Sequence, residues 1–483
     1  MSKKTQSYTN RKHRKYIPER MPGNVAVKNK GGWLPGANGR AAKVEALLRG
    51  RKEETKEIAG NMAGYKDSGV EEVNFIPKDW NTLRMKDSFN ISKEIIGDKW
   101  TEAALLSLTT NGVKSITADE QVGKRPKTFA TYQRVTKNDI VMCLFDLDAS
   151  AVFSGLSGYD GMISPAYKIL KTKEQVLPEF ANYYFQYIFE GRKYKKYAKS
   201  IRYTLSGEEF LRLLIVLPPL HEQQRIADFL DTKCGILDRT IDAVSQQIED
   251  LEKYKKALIT KTVTKGIYKK GEPERAMKDS GVEWIGEVPE EWDVKRNSLN
   301  FDIRKTLVGE NWSNMQLLSL TTNGVKNITI DDQVGKRPKT LATYQIAHKN
   351  DIVMCLFDLD ASAVFSGLCK KNGIISPAYK LLKCKNGMFP PYAEYYFRAV
   401  FDGRKYKKYA KSIRYTISTN DFMHLKMPVP PLAEQQQIAD YLDEKCKNIN
   451  NRVQKRRQQL EWLKEYKKSL IFDYVTGKKR VEK

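Results

Sequence analysis

Residues 191–204 read GRKYKKYAKSIRYT, which sets the cations Arg192, Lys193, Lys195, Lys196, Lys199 and Arg202 among Tyr194, Tyr197 and Tyr203. Cations interleaved with rings suit a phosphodiester backbone. Each neutralised phosphate releases a counterion, so binding through them weakens steeply with salt. The whole string returns unchanged at 403–416, supplying Arg404, Lys405, Tyr406, Lys407, Lys408, Lys411 and Arg414. A solvated helix with its tyrosines turned to a core is the competing explanation. The second candidate is the polar loop around Gly123 and Pro126. There Gln121, Lys124, Arg125, Lys127 and Thr128, with Gln333, Lys336, Arg337, Lys339 and Thr340 in the second copy, are the side chains for base edges. In the major groove Arg and Lys suit guanine, and Gln suits adenine.

Enzymatic chemistry finds less support. FDLDAS occurs twice, pairing Asp146 with Asp148 and Asp358 with Asp360, as in carboxylate pairs that hold a metal for phosphodiester cleavage. No third acid or lysine accompanies them at a recognisable spacing, and acids after a strand ordinarily cap a turn. His13, His221, His348 and His424 each lack a histidine at the matching position of the other copy. Neither GxxxxGK[ST] nor GxGxxG occurs, so no nucleotide site is evident. The Asn-Pro-Pro motif of amino-methyltransferases is also missing, the double prolines following Leu217, Phe389 and Val429. The expectation is a chain with no catalytic residue and no metal site.

These strings recur because the chain is duplicated. Leu105–Leu170 returns 212 residues later as Leu317–Leu382 with 13 of 66 positions changed and no gap. Lys66–Glu71 (KDSGVE) returns at Lys278–Glu283 with the same offset, and Pro218, Pro219 and Leu220 at Pro430, Pro431 and Leu432. Two equivalent surfaces follow. The 483 residues carry a formal net charge of +26, and a basic surface of that size attracts polyanions, nucleic acid first among them. Residues 1–61 hold 15 Lys plus Arg against 5 Asp plus Glu; with few large apolar side chains they read as a disordered basic extension. No apolar run is long enough for a signal peptide or a bilayer span, so a cytoplasmic location is expected. None of the six cysteines forms a CxxC pair, which suits reduced, buried thiols.

The elements that must position the candidates alternate in kind. Short branched runs at Leu105–Leu108, Asp139–Leu144 and Ile163–Leu170, separated by turn signals, predict strands. Phe180–Phe189 and Arg192–Lys199 predict helices, and Leu213–Leu217 a closing strand, so each globular part is mixed α/β. After Pro219 and Pro431 the period changes. Leu230, Leu237, Ile241, Val244, Ile248 and Leu251, then Leu442, Ile449, Val453, Leu460 and Leu463, recur at spacings of three and four. Such heptads predict two long helices packed on each other. His221–Leu258 alone would span about 57 Å.

With KDSGVEWIGEVPEEW (278–292), SPAY (164–167 and 376–379), LPPLHEQQRIADFLD (217–231) and VPPLAEQQQIADYLD (429–443), the chain resembles the specificity subunit of type I restriction-modification systems. The resemblance implies two target recognition domains, 62–217 and 276–429, each followed by a helical spacer, 218–275 and 430–483. It implies that the spacers form an antiparallel coiled coil carrying two methyltransferase subunits, with restriction subunits joining the complex. S-adenosylmethionine, ATP and magnesium would then belong to those partners and none to this chain. Two domains related by a pseudo-two-fold axis read opposite strands, so copies this similar predict an interrupted near-palindromic target on double-stranded DNA. The alternatives are a nucleic-acid-binding coiled-coil scaffold without sequence preference and a self-sufficient nuclease built on FDLD.

Overall fold

The computed structural model describes residues 64–110, 112–120, 126–147, 152–190, 203–268, 271, 273–322, 324–329, 340–359, 364–409 and 415–482. The chain divides into two compact units, Met1–Asp67 and Ser68–Lys483. Among the described residues the first unit contributes the short strand β1 (Tyr65–Asp67). The second unit holds all the other elements.

In the first copy these are β2 (Phe75–Pro77), β3 (Asn81–Arg84), α1 (Met85–Ser88), β4 (Phe89–Ser92), β5 (Leu105–Thr109), β6 (Gly112–Ile116), β7 (Gln133–Val135), β8 (Ile140–Met142), β9 (Ser154–Leu156), β10 (Gly161–Ile163), β11 (Lys168–Thr172), α2 (Pro178–Glu190), α3 (Gly207–Arg212), β12 (Leu214–Leu217) and α4 (Leu220–Lys265). The second copy repeats them as β13 (Met277–Asp279), β14 (Glu287–Pro289), β15 (Asp293–Arg296), α5 (Asn297–Asn300), β16 (Phe301–Arg304), β17 (Leu317–Thr321), β18 (Gly324–Ile328), β19 (Gln345–Ala347), β20 (Ile352–Met354), β21 (Ser366–Leu368), β22 (Gly373–Ile375), β23 (Lys380–Cys384), α6 (Pro390–Asp402), α7 (Thr419–His424), β24 (Lys426–Val429) and α8 (Leu432–Val475).

Each lobe stacks two four-stranded sheets, ordered β6-β5-β10-β7 and β4-β11-β8-β9 in the first and β18-β17-β22-β19 and β16-β23-β20-β21 in the second. The run Ile140-Val141-Met142 is buried throughout because its sheet is covered on both faces. Val141 points into the layer between the sheets with Leu106, Leu108 and Ile163, while Ile140 and Met142 face the layer that α2 covers with Phe180, Tyr184 and Phe185. The expected strand Ile163–Leu170 is two strands, because SPAY turns the chain between β10 and β11. Where β10 runs parallel to β5, only glycine fits: a Cβ on Gly161 would lie 2.3 Å from the carbonyl oxygen of Ala104, and one on Gly373 2.4 Å from that of Gln316.

The long helices run 46 and 44 residues, so α4 spans about 69 Å and continues past Leu258 to a Gly266 C-cap with φ 80°. They pack antiparallel. Asp238 pairs with Lys467 at 2.7 Å, Glu252 with Arg457 at 2.7 Å, and Lys255 donates to Asn450 at 3.0 Å. Only their middle faces the other helix alone. Ile226, Leu230 and Cys234 at the start of α4 enter the first lobe's core together with Leu470, Ile471 and Val475 from the end of α8. Ile438, Leu442 and Cys446 enter the second lobe's core with Ile259 and Val263 from the end of α4. Ile259 and Val263 lie 212 residues before Ile471 and Val475, so each lobe is completed by the helix of the other copy.

Candidate nucleic-acid interface

The motif at the start of each long helix is structural. The Trp80 indole donates to Glu222 Oε2 at 3.1 Å and the Trp292 indole to Glu434 Oε2 at 2.9 Å. Arginines that follow the opposite helix reach the same carboxylates, Arg480 to Glu222 and Arg275 to Glu434. Buried Gln223 accepts from the Leu177 backbone N–H at 2.8 Å and donates to the carbonyls of Gln175 and Pro218; Gln435 repeats this with Phe389, Gly387 and Pro430. SPAY is held in the same manner, Gln133 donating to the carbonyls of Ser164 and Tyr167 and Gln345 to those of Ser376 and Tyr379.

Of the two basic strings, residues 191–202 lie outside the described residues, and with them Arg192, Lys193, Tyr194, Lys195, Lys196, Tyr197, Lys199 and Arg202. So do Lys411, Arg414 and the side chain of Tyr406. In the second copy Lys405–Lys408 makes a single 3-10 turn in place of the expected helix. Its cations sit on a lobe surface that tyrosines anchor, since Tyr409 and Tyr415 pack against the core. Lys407 lies 4.5 Å from the centroid of the Tyr415 ring and Lys405 5.9 Å from that of Trp284. Lys408 pairs with Glu283 at 2.6 Å, and that hydrogen bond holds the Glu283 carboxyl below its ordinary range. Arg404 is exposed with φ 50°.

Gln121, Lys124, Arg125, Gln333, Lys336, Arg337 and Lys339 also lie outside the described residues. Lys127, Thr128 and Thr340 are exposed. The two threonine hydroxyls accept from the backbone N–H groups of Ala130 and Ala342, each at 3.2 Å. The loop that carries these residues leaves β6 and returns at β7, the two edges of one sheet. The basic string follows α2, which covers the other sheet.

The acidic motif takes a turn. Asp146 and Asp358 adopt φ 47° and 50°, and their N–H groups donate to the Thr204 and Thr416 hydroxyls, each at 3.3 Å. Asp148 and Asp360 lie outside the described residues. Among the described residues no three His, Cys, Asp or Glu side chains come together as metal ligands, and no helix is long and apolar enough to cross a membrane. Sequence reading weighed the acids of FDLD and passed over its phenylalanine. Phe145 and Phe357 are 38% and 40% exposed, each ring 5.8 and 6.1 Å from the tyrosine of SPAY. Repetition of an exposed ring in both copies was the available signal.

Along the paired helices, Leu230 and Leu442 lie in the lobe cores, and Leu237 packs on the first of them. Val244, Ile449, Val453 and Leu463 are buried, while Ile241, Ile248, Leu251 and Leu460 are half-buried.

Two sheet-rich lobes on antiparallel long helices, with a basic, aromatic string in each copy, describe a bipartite recognition protein. The family model of the type I restriction modification DNA specificity domain matches residues 77–253 and 322–461. The chain belongs to that family, and it is a non-catalytic specificity subunit that recognises DNA sequence. Among curated relatives it is 25% identical over 458 residues to the type I restriction enzyme MjaVIII specificity subunit of Methanocaldococcus jannaschii, covering 87% of this chain and 98% of that one. It is 23% identical over 447 residues to the putative MjaX specificity subunit of the same organism, covering 86% and 98%. A solved structure described as underlying complex assembly and conformational transition of the type I restriction-modification system shares the fold. Its TM-score is 0.61 at 14% identity, covering 83% of this chain and 98% of that one.

Proposed function

We propose that the two lobes read the two halves of one interrupted, near-palindromic DNA target, and that the paired helices act as an antiparallel coiled coil that fixes their separation. Two methyltransferase subunits and the restriction subunits would dock on this frame, bringing S-adenosylmethionine, ATP and magnesium, with the assembly in the cytoplasm. The observation that carries the reading is exchange symmetry: Lys255–Asn450 and Lys467–Asp238 become each other when 212 is added to one partner and subtracted from the other. An object with that symmetry presents the same face twice, in opposite directions, to a duplex. Base edges would be read from the loops that carry Gln121–Thr128 and Gln333–Thr340. The strings at 191–203 and 403–415 would hold phosphates. Mapping methylated adenines genome-wide in cells with and without the gene should show a bipartite site whose halves are inverted near-copies. Halves without mutual resemblance would reject the symmetric reading.

A further inference from the structure

The exchange symmetry also exposes a place where the copies are chemically opposite. Gln247 and Gln459 map onto each other near the middle of the helix pair. On one side of that midpoint an open groove of about 710 Å³ is lined by Asp250 and Tyr254 of α4 and Arg452, Lys455 and Arg456 of α8. The mapped positions on the other side are Trp462 and Tyr466 of α8 with Thr240, Ala243 and Val244 of α4. The tyrosines are common to both: Tyr254 is 58% exposed and Tyr466 46%. The remainder inverts. The three cations become Thr, Ala and Val, and Asp250 becomes a tryptophan that is 63% exposed, its ring stacked on Tyr466 at 5.4 Å and 5°. An exposed stacked Trp–Tyr pair marks an association surface.

We infer that the two faces of the helix pair are unequal docking sites for two copies of one methyltransferase subunit, the aromatic face at Trp462 filling first and the basic face at Arg452–Arg456 second. The inference rests on the reading that such subunits dock here. Two identical partners present one and the same surface to both faces. A surface that covers the Trp462–Tyr466 stack desolvates rings and gains from it, since buried Trp and Tyr dominate interface energies. The same surface laid on the mapped face keeps the tyrosine contact, but must strip water from Asp250 and three cations without a matched set of charges. Assembly therefore proceeds in two separated steps, with a one-to-one complex as a populated species.

The test is titration of the full chain with the methyltransferase subunit of the same system, followed by calorimetry and native mass spectrometry. Two steps are expected, separated by more than the statistics of two equal sites allow. Trp462→Asp, which installs the mapped residue on an exposed position, should weaken the first step about tenfold or more while the second stays put. The triple change Arg452→Thr, Lys455→Ala, Arg456→Val should tighten the second. Two statistically equal steps, or a Trp462→Asp variant that loses nothing, would overturn the inference while leaving docking itself intact. If the triple change weakens DNA binding and leaves the second step unmoved, the basic groove serves phosphate instead and the inference fails. Absence of any methyltransferase binding to the wild-type chain would remove the underlying reading as well, a failure that the methylation map registers independently.

Discussion

At the scale of single residues, the shared motifs are fasteners. Gln223 alone satisfies one backbone N–H and two carbonyls in a buried corner. Gln223→Leu keeps the volume and strands those groups, so a loss of about 3 kcal/mol is expected from an unfolding midpoint in urea. The copies differ at another interior position. Ser154 donates to Asn182 at 3.5 Å in the first lobe, whereas in the second the matching Glu394 lies in a cleft near Lys370, Arg398, Asp402 and Asp443, and the hydroxyl of Ser366 is buried without a partner. Burial foremost, with Asp443 and Asp402 adding to it against Arg398 and Lys370, pushes the Glu394 carboxyl up to about 7. A raised carboxyl keeps its proton in the folded chain after the unfolded chain has released it. Stability therefore falls as pH rises from the ordinary carboxylate range to about 7 and levels off above. Glu394→Gln should flatten that part of a plot of melting temperature against pH; an unchanged slope would show that the carboxyl is not the source.

At the scale of elements, the copies trade volume to keep one packing. Trp284 stacks near Tyr396 at 5.9 Å in the second lobe, and its counterpart is Glu72. Tyr187, in place of Ala399, donates to the Glu72 carbonyl at 3.1 Å and packs on Phe472 at 5.3 Å. The hairpin thus loses a ring that the helix regains. The turn needs positive φ in both copies, met by Gly286 at 65° and by Asn74 at 61°, the one other residue type that accepts that region readily. The helices follow the same economy, since each closes a foreign lobe. A half-chain from Met62 to about Gly271 lacks Ile471 and Val475, but it carries Ile259 and Val263, which fill the same sites in the other lobe. It is expected to form a symmetric dimer by sedimentation equilibrium and to retain DNA binding. A folded monomer would contradict the role given to the helix ends.

At the scale of the whole molecule, net charge and phosphate contacts set affinity, while the loops set choice. Replacing Lys195, Lys196, Lys407 and Lys408 by Ala should weaken binding to cognate and random duplexes alike and lower the slope of log affinity against log salt by about 0.9 per contact removed. Lys408 already has Glu283 as a partner, so it should account for the smallest share. Retained affinity with lost discrimination would move these lysines from the backbone to the bases.

The sequence alone determined what depends on repetition and period. The 212-residue offset, the alternation of branched runs with turn residues, and apolar positions every three or four residues were sufficient for two mixed α/β lobes and two long helices. Period says that a helix face is covered but not by what. Leu230 and Val244 are indistinguishable in the heptad pattern, yet one lies in a lobe core and the other at the middle of the helix pair. The purpose of the Glu-Gln pair after each double proline was equally hidden, because Trp80 and Glu222 meet across 142 residues. Only the tertiary structure decided these matters, since burial and hydrogen bonding are settled by which distant surface arrives, and a linear pattern carries no record of that.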